Sequence, residues 1–136
     1  MLFKEIMLRY SRAFHAALHA RFLQLTEAKR LRQTHYLEGR FENTYATPAD
    51  IPDITPVLAS VKEHAGRCLG MPAETLKAGF WFNAMKPGQR TLPHHHDEND
   101  ELLSAVYYIR VPDNSGDLIL HLAGDRIMVR PQEGKL

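Results

Sequence analysis

The chain has 136 residues, 44% of them hydrophobic and 24% charged, with 8 Gly and 8 Pro, which suits one domain with a single core and excludes a low-complexity chain. One cysteine, Cys68, excludes an internal disulfide and any multi-cysteine zinc or iron–sulfur site. A formal net charge of +1 gives no general drive toward nucleic acid or membrane, and no apolar run approaches the roughly 20 residues that span a bilayer. The expectation is a soluble, cytoplasmic chain.

From Leu2 to about Arg32, the apolar residues Leu2, Phe3, Ile6, Met7, Tyr10, Phe14, Ala17, Leu18, Phe22 and Leu25 recur at steps of three and four. That period predicts one long amphipathic helix, or two with a small break, in an N-terminal segment spanning 1–38. Residues 1–40 hold 8 basic and 3 acidic side chains. They interleave with the apolar stripe, so they read as the solvated face of a helix rather than a phosphate-binding arm. His15 and His19 lie four apart and could share a metal. Partly buried helix histidines are the plainer reading, because no acid or sulfur accompanies them.

The stretch from Gly39 to Asp53 is dense in turn formers and reads as a connecting loop. Thr55 can then cap, and Pro56 start, a helix whose apolar positions Val57, Leu58, Val61, Ala65, Cys68 and Leu69 end at Gly70. Cys68 reads as a small core residue on that stripe. After Gly79 the period changes to two. Phe80–Met85, Leu102–Val111, Leu118–Leu122 and Arg126–Arg130 read as strands separated by turns that carry Pro or Gly. Helices first and an antiparallel sandwich or barrel after them give an α+β class, with the sheet in a second segment spanning 39–136.

Residues 93–101 read PHHHDENDE, three imidazoles and four carboxylates in nine positions, the donors a borderline divalent ion prefers. In extended chain, positions i and i+2 face the same way, so His94 with His96, or His95 with Asp97, can share one metal. The spacing leaves the register open. A facial site of two histidines and one carboxylate would need its third ligand from a distant strand. The bland alternative is a hydrophilic loop that binds metals adventitiously.

The run Phe80-Trp81-Phe82-Asn83-Ala84-Met85, then Pro87-Gly88, Pro93-His94-His95-His96-Asp97, Glu101-Leu102-Leu103-Ser104-Ala105-Val106-Tyr107-Tyr108-Ile109, Val111-Pro112 and Ser115-Gly116-Asp117-Leu118 resembles a family of 2-oxoglutarate- and Fe(II)-dependent oxygenases. The resemblance covers roughly residues 79–136, with a weaker echo from Gly39. It implies a double-stranded β-helix, a cupin-like jelly roll with iron near one mouth. It also implies Fe(II) as cofactor, 2-oxoglutarate as cosubstrate, and hydroxylation of a C–H bond in a small-molecule or protein substrate coupled to decarboxylation. By carry-over, His94 and His96 are the ligand positions, with His95 and Asp97 the alternative register. Tyr107 or Tyr108, alternating in one strand, could face a carboxylate, and Arg126 or Arg130 could anchor 2-oxoglutarate. Catalytic residues are not assigned.

Members of that family continue beyond a segment like Val129–Leu136 into a further strand, a distal histidine and a basic anchor. His121 is the one histidine here that follows the 94–96 cluster. The chain therefore reads as a fragment or shortened relative with an incomplete barrel, whose open edge homo-oligomerisation would cover. Two other readings stand beside it. Gly88, five residues, His94, one residue, His96, four residues and Glu101 is close to the spacing by which cupins supply two His and a Glu to a metal. The other is a non-catalytic scaffold that keeps the sheet and binds no iron.

Overall fold

A computed structural model describes residues 3–28, 30–96 and 100–136. Helix α1 spans Arg12–Glu27. It starts where Ser11 caps it, the hydroxyl oxygen accepting from the Phe14 N–H at 3.1 Å, which satisfies one of the amides that a helix start leaves without a partner. The helix-spaced residues before Ser11 are extended instead. The Ile6 and Leu8 N–H groups donate to the carbonyls of Leu136 and Gly134, both at 2.8 Å, so the first segment pairs antiparallel with 134–136.

A hairpin takes up the end of the 1–38 segment expected as helical and the start of the stretch expected as a loop. β1 (Arg32–Leu37) and β2 (Arg40–Tyr45) pair antiparallel, with Leu37 opposite Arg40. The two linking residues both have positive φ, Glu38 at 49° and Gly39 at 86°, the backbone of a type I′ turn whose twist matches that of paired strands. After it, Asp50 folds back on Thr47, accepting from the Thr47 N–H at 2.8 Å. These bonds hold the Asp50 carboxyl below its usual range.

Helix α2 runs Ile54–Leu69 and closes at Gly70, which is left-handed at φ 66°. The Met71 N–H donates to the Gly66 carbonyl at 2.9 Å, completing a glycine-terminated helix end. Gly66 itself is buried, and a Cβ there would lie 2.6 Å from the Met71 carbonyl oxygen. β3 (Leu118–Leu122) and β4 (Asp125–Val129) form a second hairpin. Its turn residues Ala123 and Gly124 repeat the pair of positive φ values.

The core lies where α1 meets the start of α2. Leu18, Leu25, Ala46, Ile51, Ile54, Val57 and Phe82 are buried together, flanked by Tyr10, Phe14, Phe22, Tyr107 and Ile109. Leu18 and Ile51 are fully enclosed; each such side chain contributes about 1.5–3 kcal/mol through removal from water. Phe82 joins this core because its N–H and carbonyl exchange bonds with Thr44 of β2 at 2.8 and 2.9 Å. Its ring lies 4.9 Å from that of Phe22.

The expected double-stranded β-helix is not the fold. The described residues form an α+β fold with two α-helices, one short 3-10 turn and two separate two-stranded antiparallel sheets. Of the four predicted strands, Leu118–Leu122 and a segment one residue before Arg126–Arg130 pair with each other. Phe80–Met85 makes one isolated bridge, at Phe82. In the segment 102–111, Tyr108 exchanges backbone bonds with Gly134 and Lys135, while Leu102, Leu103 and Val106 stay exposed. Residues 102–106 have no strand partner among the described residues. Alternation marks a chain suited to a half-buried sheet but cannot supply the neighbour whose hydrogen bonds make it one, and two separate hairpins cannot roll into a barrel. Among the described residues, no helix is long and apolar enough to cross a membrane.

Candidate metal centre

The segment leading to the histidine run is shaped by a turn and a clamp. Gly88 sits at φ 82° after Pro87, and the Gln89 N–H donates to the Lys86 carbonyl at 3.1 Å, the pattern of a type II turn. The Gln89 side chain then accepts from the Lys86 N–H at 2.8 Å. Arg40, buried at the start of β2, reaches across from the first hairpin. Its guanidinium donates to Asn83 Oδ1 at 2.7 Å, Thr91 Oγ1 at 3.0 Å and the Arg90 carbonyl at 3.2 Å. Glu42 lies 3.7 Å from the same group. Five fixed donors suit Arg to such a multi-point tie, which an ammonium could not reproduce.

Beyond this clamp, His94 and His96 turn toward each other, their Nε2 atoms 3.1 Å apart. His94 Nδ1 lies 2.9 Å from the Leu92 carbonyl oxygen. A carbonyl only accepts, so Nδ1 carries the proton and the Nε2 of neutral His94 presents a lone pair. His96 Nδ1 faces the Glu101 carboxylate at 3.4 Å. A neutral His96 that turns its N–H toward Glu101 also presents a bare Nε2. Two lone pairs that close repel unless a cation lies between them, either a proton shared with His96 or a metal ion. Two nitrogens bound to one ion at about 2.1 Å are separated by about 3.0–3.4 Å for octahedral or tetrahedral angles. The observed separation falls in that range. Holding the outer ring nitrogen on a carbonyl or carboxylate is also how metal-binding imidazoles are oriented.

Trp81 covers one side, stacked on His96 at 6.0 Å and 27° between planes, with Tyr45 a further 6.4 Å behind it. The Tyr45 hydroxyl takes bonds from Thr34 and Asn43, which, with the nearby Arg32, lower its pKa. Among the described residues, no three His, Cys, Asp or Glu side chains gather into a group that could hold a metal. The pair by itself offers two nitrogen donors. His95 is exposed, and Asp97, its partner in the alternative register, lies outside the described residues.

The other candidates are placed elsewhere. Tyr107 meets His15 of α1. Burial, Tyr10 and Glu133 push its hydroxyl up to about 12, so it stays a phenol across the physiological range. Burial and Asp117 also raise Tyr108. Arg126 pairs across the second hairpin with His121, and both are exposed. His15 and His19 do not converge on an ion: His15 Nδ1 lies 3.1 Å from Glu133, while burial and then Arg110 lower the pKa of His19. Cys68 is half-buried, outside the core cluster. Sequence reasoning missed the Arg40 clamp. A lone Arg just after a Glu-Gly turn between two alternating segments is the one signal that pointed there. No protein-family model, curated protein or solved structure matches the chain.

Proposed function

We propose that His94 and His96 bind one divalent transition metal, and that the chemistry this metal serves is that of an Fe(II)- and 2-oxoglutarate-dependent oxygenase. The observation that carries the reading is the convergence of two Nε2 atoms at 3.1 Å with each Nδ1 turned to an acceptor, Leu92 O or Glu101. The choice of Fe(II) and 2-oxoglutarate rests on the ordered motif series from Phe80 to Leu118, not on the pair itself. When bound, the metal would supply open coordination positions for cosubstrate and oxygen. The protein's own part is narrower: Leu92 and Glu101 fix the ring orientations, and Trp81 shields one side from water.

The experiment is anaerobic titration of untagged chain with Fe(II), followed by addition of oxygen and 2-oxoglutarate. One ion bound per chain, lost in both His94→Ala and His96→Ala, supports the metal reading, and retention of the ion in both variants overturns it. Succinate formed from 2-oxoglutarate in the same preparation supports the oxygenase reading. A loaded protein that forms none overturns that part alone.

A cupin-like site makes a different demand on Glu101, which would have to be a direct ligand. Here it faces Nδ1 of His96, behind the ring, which favours the orienting role. Glu101→Gln is therefore expected to weaken binding by about 10–100-fold rather than abolish it.

A further inference from the structure

His15 is 4% exposed, yet both of its ring nitrogens are engaged. Nδ1 lies 3.1 Å from the Glu133 carboxylate, and Nε2 is hydrogen-bonded to the Tyr107 hydroxyl. These residues come from α1, the extended segment before β3, and the segment after β4. The order of protons follows from the donors available. An ionised carboxylate only accepts, so Nδ1 carries the imidazole proton. In the neutral ring Nε2 is then the acceptor and the Tyr107 O–H the donor. Phe14 at 5.7 Å and Tyr10 at 6.4 Å lie edge-on to the ring and restrict its rotation.

A hydroxyl donating to an imidazole that a carboxylate orients is the arrangement that activates hydroxyl nucleophiles, whatever fold carries it. We propose that Tyr107 is a base-assisted nucleophile that accepts acyl groups from small activated esters, with His15 taking its proton and Glu133 as the positioning residue. The phenol oxygen attacks the ester carbonyl carbon as its proton passes to His15 Nε2. The bond from that carbon to the leaving oxygen breaks, and the proton moves from His15 to the departing alcohol or phenol. The products are an acyl ester on Tyr107 and the free leaving group, with no change of oxidation state. Tyr107 is half-buried, the residues before it from 102 to 106 are exposed, and Glu133 keeps 37% of its side chain in solvent.

The chain contains its own unassisted reference, Tyr36, which is 67% exposed. The whole protein is incubated with p-nitrophenyl acetate at neutral pH, and acetylation of each tyrosine is followed in time by mass spectrometry of its peptides. Tyr107 is expected to acetylate about 10-fold faster than Tyr36 or more, the low end of what a positioned base gives. In His15→Gln the ratio should fall to that of a half-buried phenol, below one. Should that variant fail to fold, Glu133→Gln, at a partly exposed position, carries the same test. It is expected to lower the ratio and to change the His15 tautomer seen by nitrogen NMR. A purely structural hydrogen bond would leave Tyr107 slower than Tyr36 in the unmodified protein, and that result overturns the proposal, as would an unchanged ratio in a folded variant.

Discussion

The guanidinium of Arg40 donates to the side-chain carbonyl of Asn83 at 2.7 Å, tying the first hairpin to the segment that leads into His94. Replacing Arg40 with Ala removes its bonds to Asn83, Thr91 and the carbonyls of Ala84 and Arg90 at once, at a residue only 9% exposed. Hydrogen bonds from charged groups contribute about 1.5–3 kcal/mol each when buried, but Asn83 and Arg90 can turn to water. A loss of about 2 kcal/mol is expected, read from urea midpoints. Arg40→Lys should recover less than half of it, because one ammonium cannot span the same acceptors.

Gly134 and Gly39 share a φ of 86° but differ in surroundings. A Cβ at Gly39 meets nothing, whereas one at Gly134 would lie 2.9 Å from the Leu8 carbonyl oxygen. Gly39→Ala should therefore cost only the strain of the left-handed backbone, about 1 kcal/mol. Gly134→Ala adds backbone overlap and should cost about 2 kcal/mol more. Equal unfolding midpoints for the two variants would refute this difference.

The raised pKa of Tyr107 makes stability depend on alkaline pH. Between its ordinary value of 10.0 and about 12, the folded chain holds the phenol proton while the unfolded chain has released it. The unfolded state binds fewer protons there, so stability falls as pH rises. It is fully present below pH 10 and lost as pH passes through the folded value. The burial of Tyr108 acts in the same direction. Tyr107→Phe should flatten part of this decline, measured by denaturation across the alkaline range.

Trp81 is the one tryptophan of the chain, and it stacks on His96. Indole emission thus reports directly on the imidazole pair. Addition of Co(II) or Ni(II) should quench it in a saturable way, and His96→Ala should remove the effect. Because metal and protons compete for the same ring nitrogens, quenching should weaken as the solution is acidified. Emission that ignores metal would separate Trp81 from any ion-binding event.

How much of this was legible in the sequence differed with the range of the interaction. The end of α2 at Gly70, and the second hairpin with its turn at Ala123 and Gly124, are set by local backbone preferences and could be read directly; α2 starts at Ile54 after Asp53, so the expected Thr55 cap lies inside it. The first hairpin could have been read too: Glu38-Gly39 separates two alternating segments, but the polar residues after it suggested a loop. The long first helix failed at Ser11, whose hydroxyl competes for the amides just inside the helix while Ile6 and Leu8 find partners near the opposite end of the chain. The barrel failed for the same reason in reverse. Residues 102–106 have the composition of a strand and no neighbour to pair with among the described residues. At the candidate site, the one-residue spacing allows His94 and His96 to lie on one side of an extended segment, and leaves His95 with Asp97 equally open. The position of Glu101 behind His96 depends on how the chain folds back, and no spacing encodes it.

The imidazole pair also rides on backbone unlike that of the helices. His94 and His96 lie outside the helices and strands of the described residues, whereas α1 and α2 are bonded along their length and anchor the core. The two regions therefore open with separate free energies. Amide deuteration should reach the stretch around His94 long before it reaches Leu18 or Val57. A bound ion would slow exchange selectively there, so the ligand's grip could be followed without unfolding the rest of the molecule.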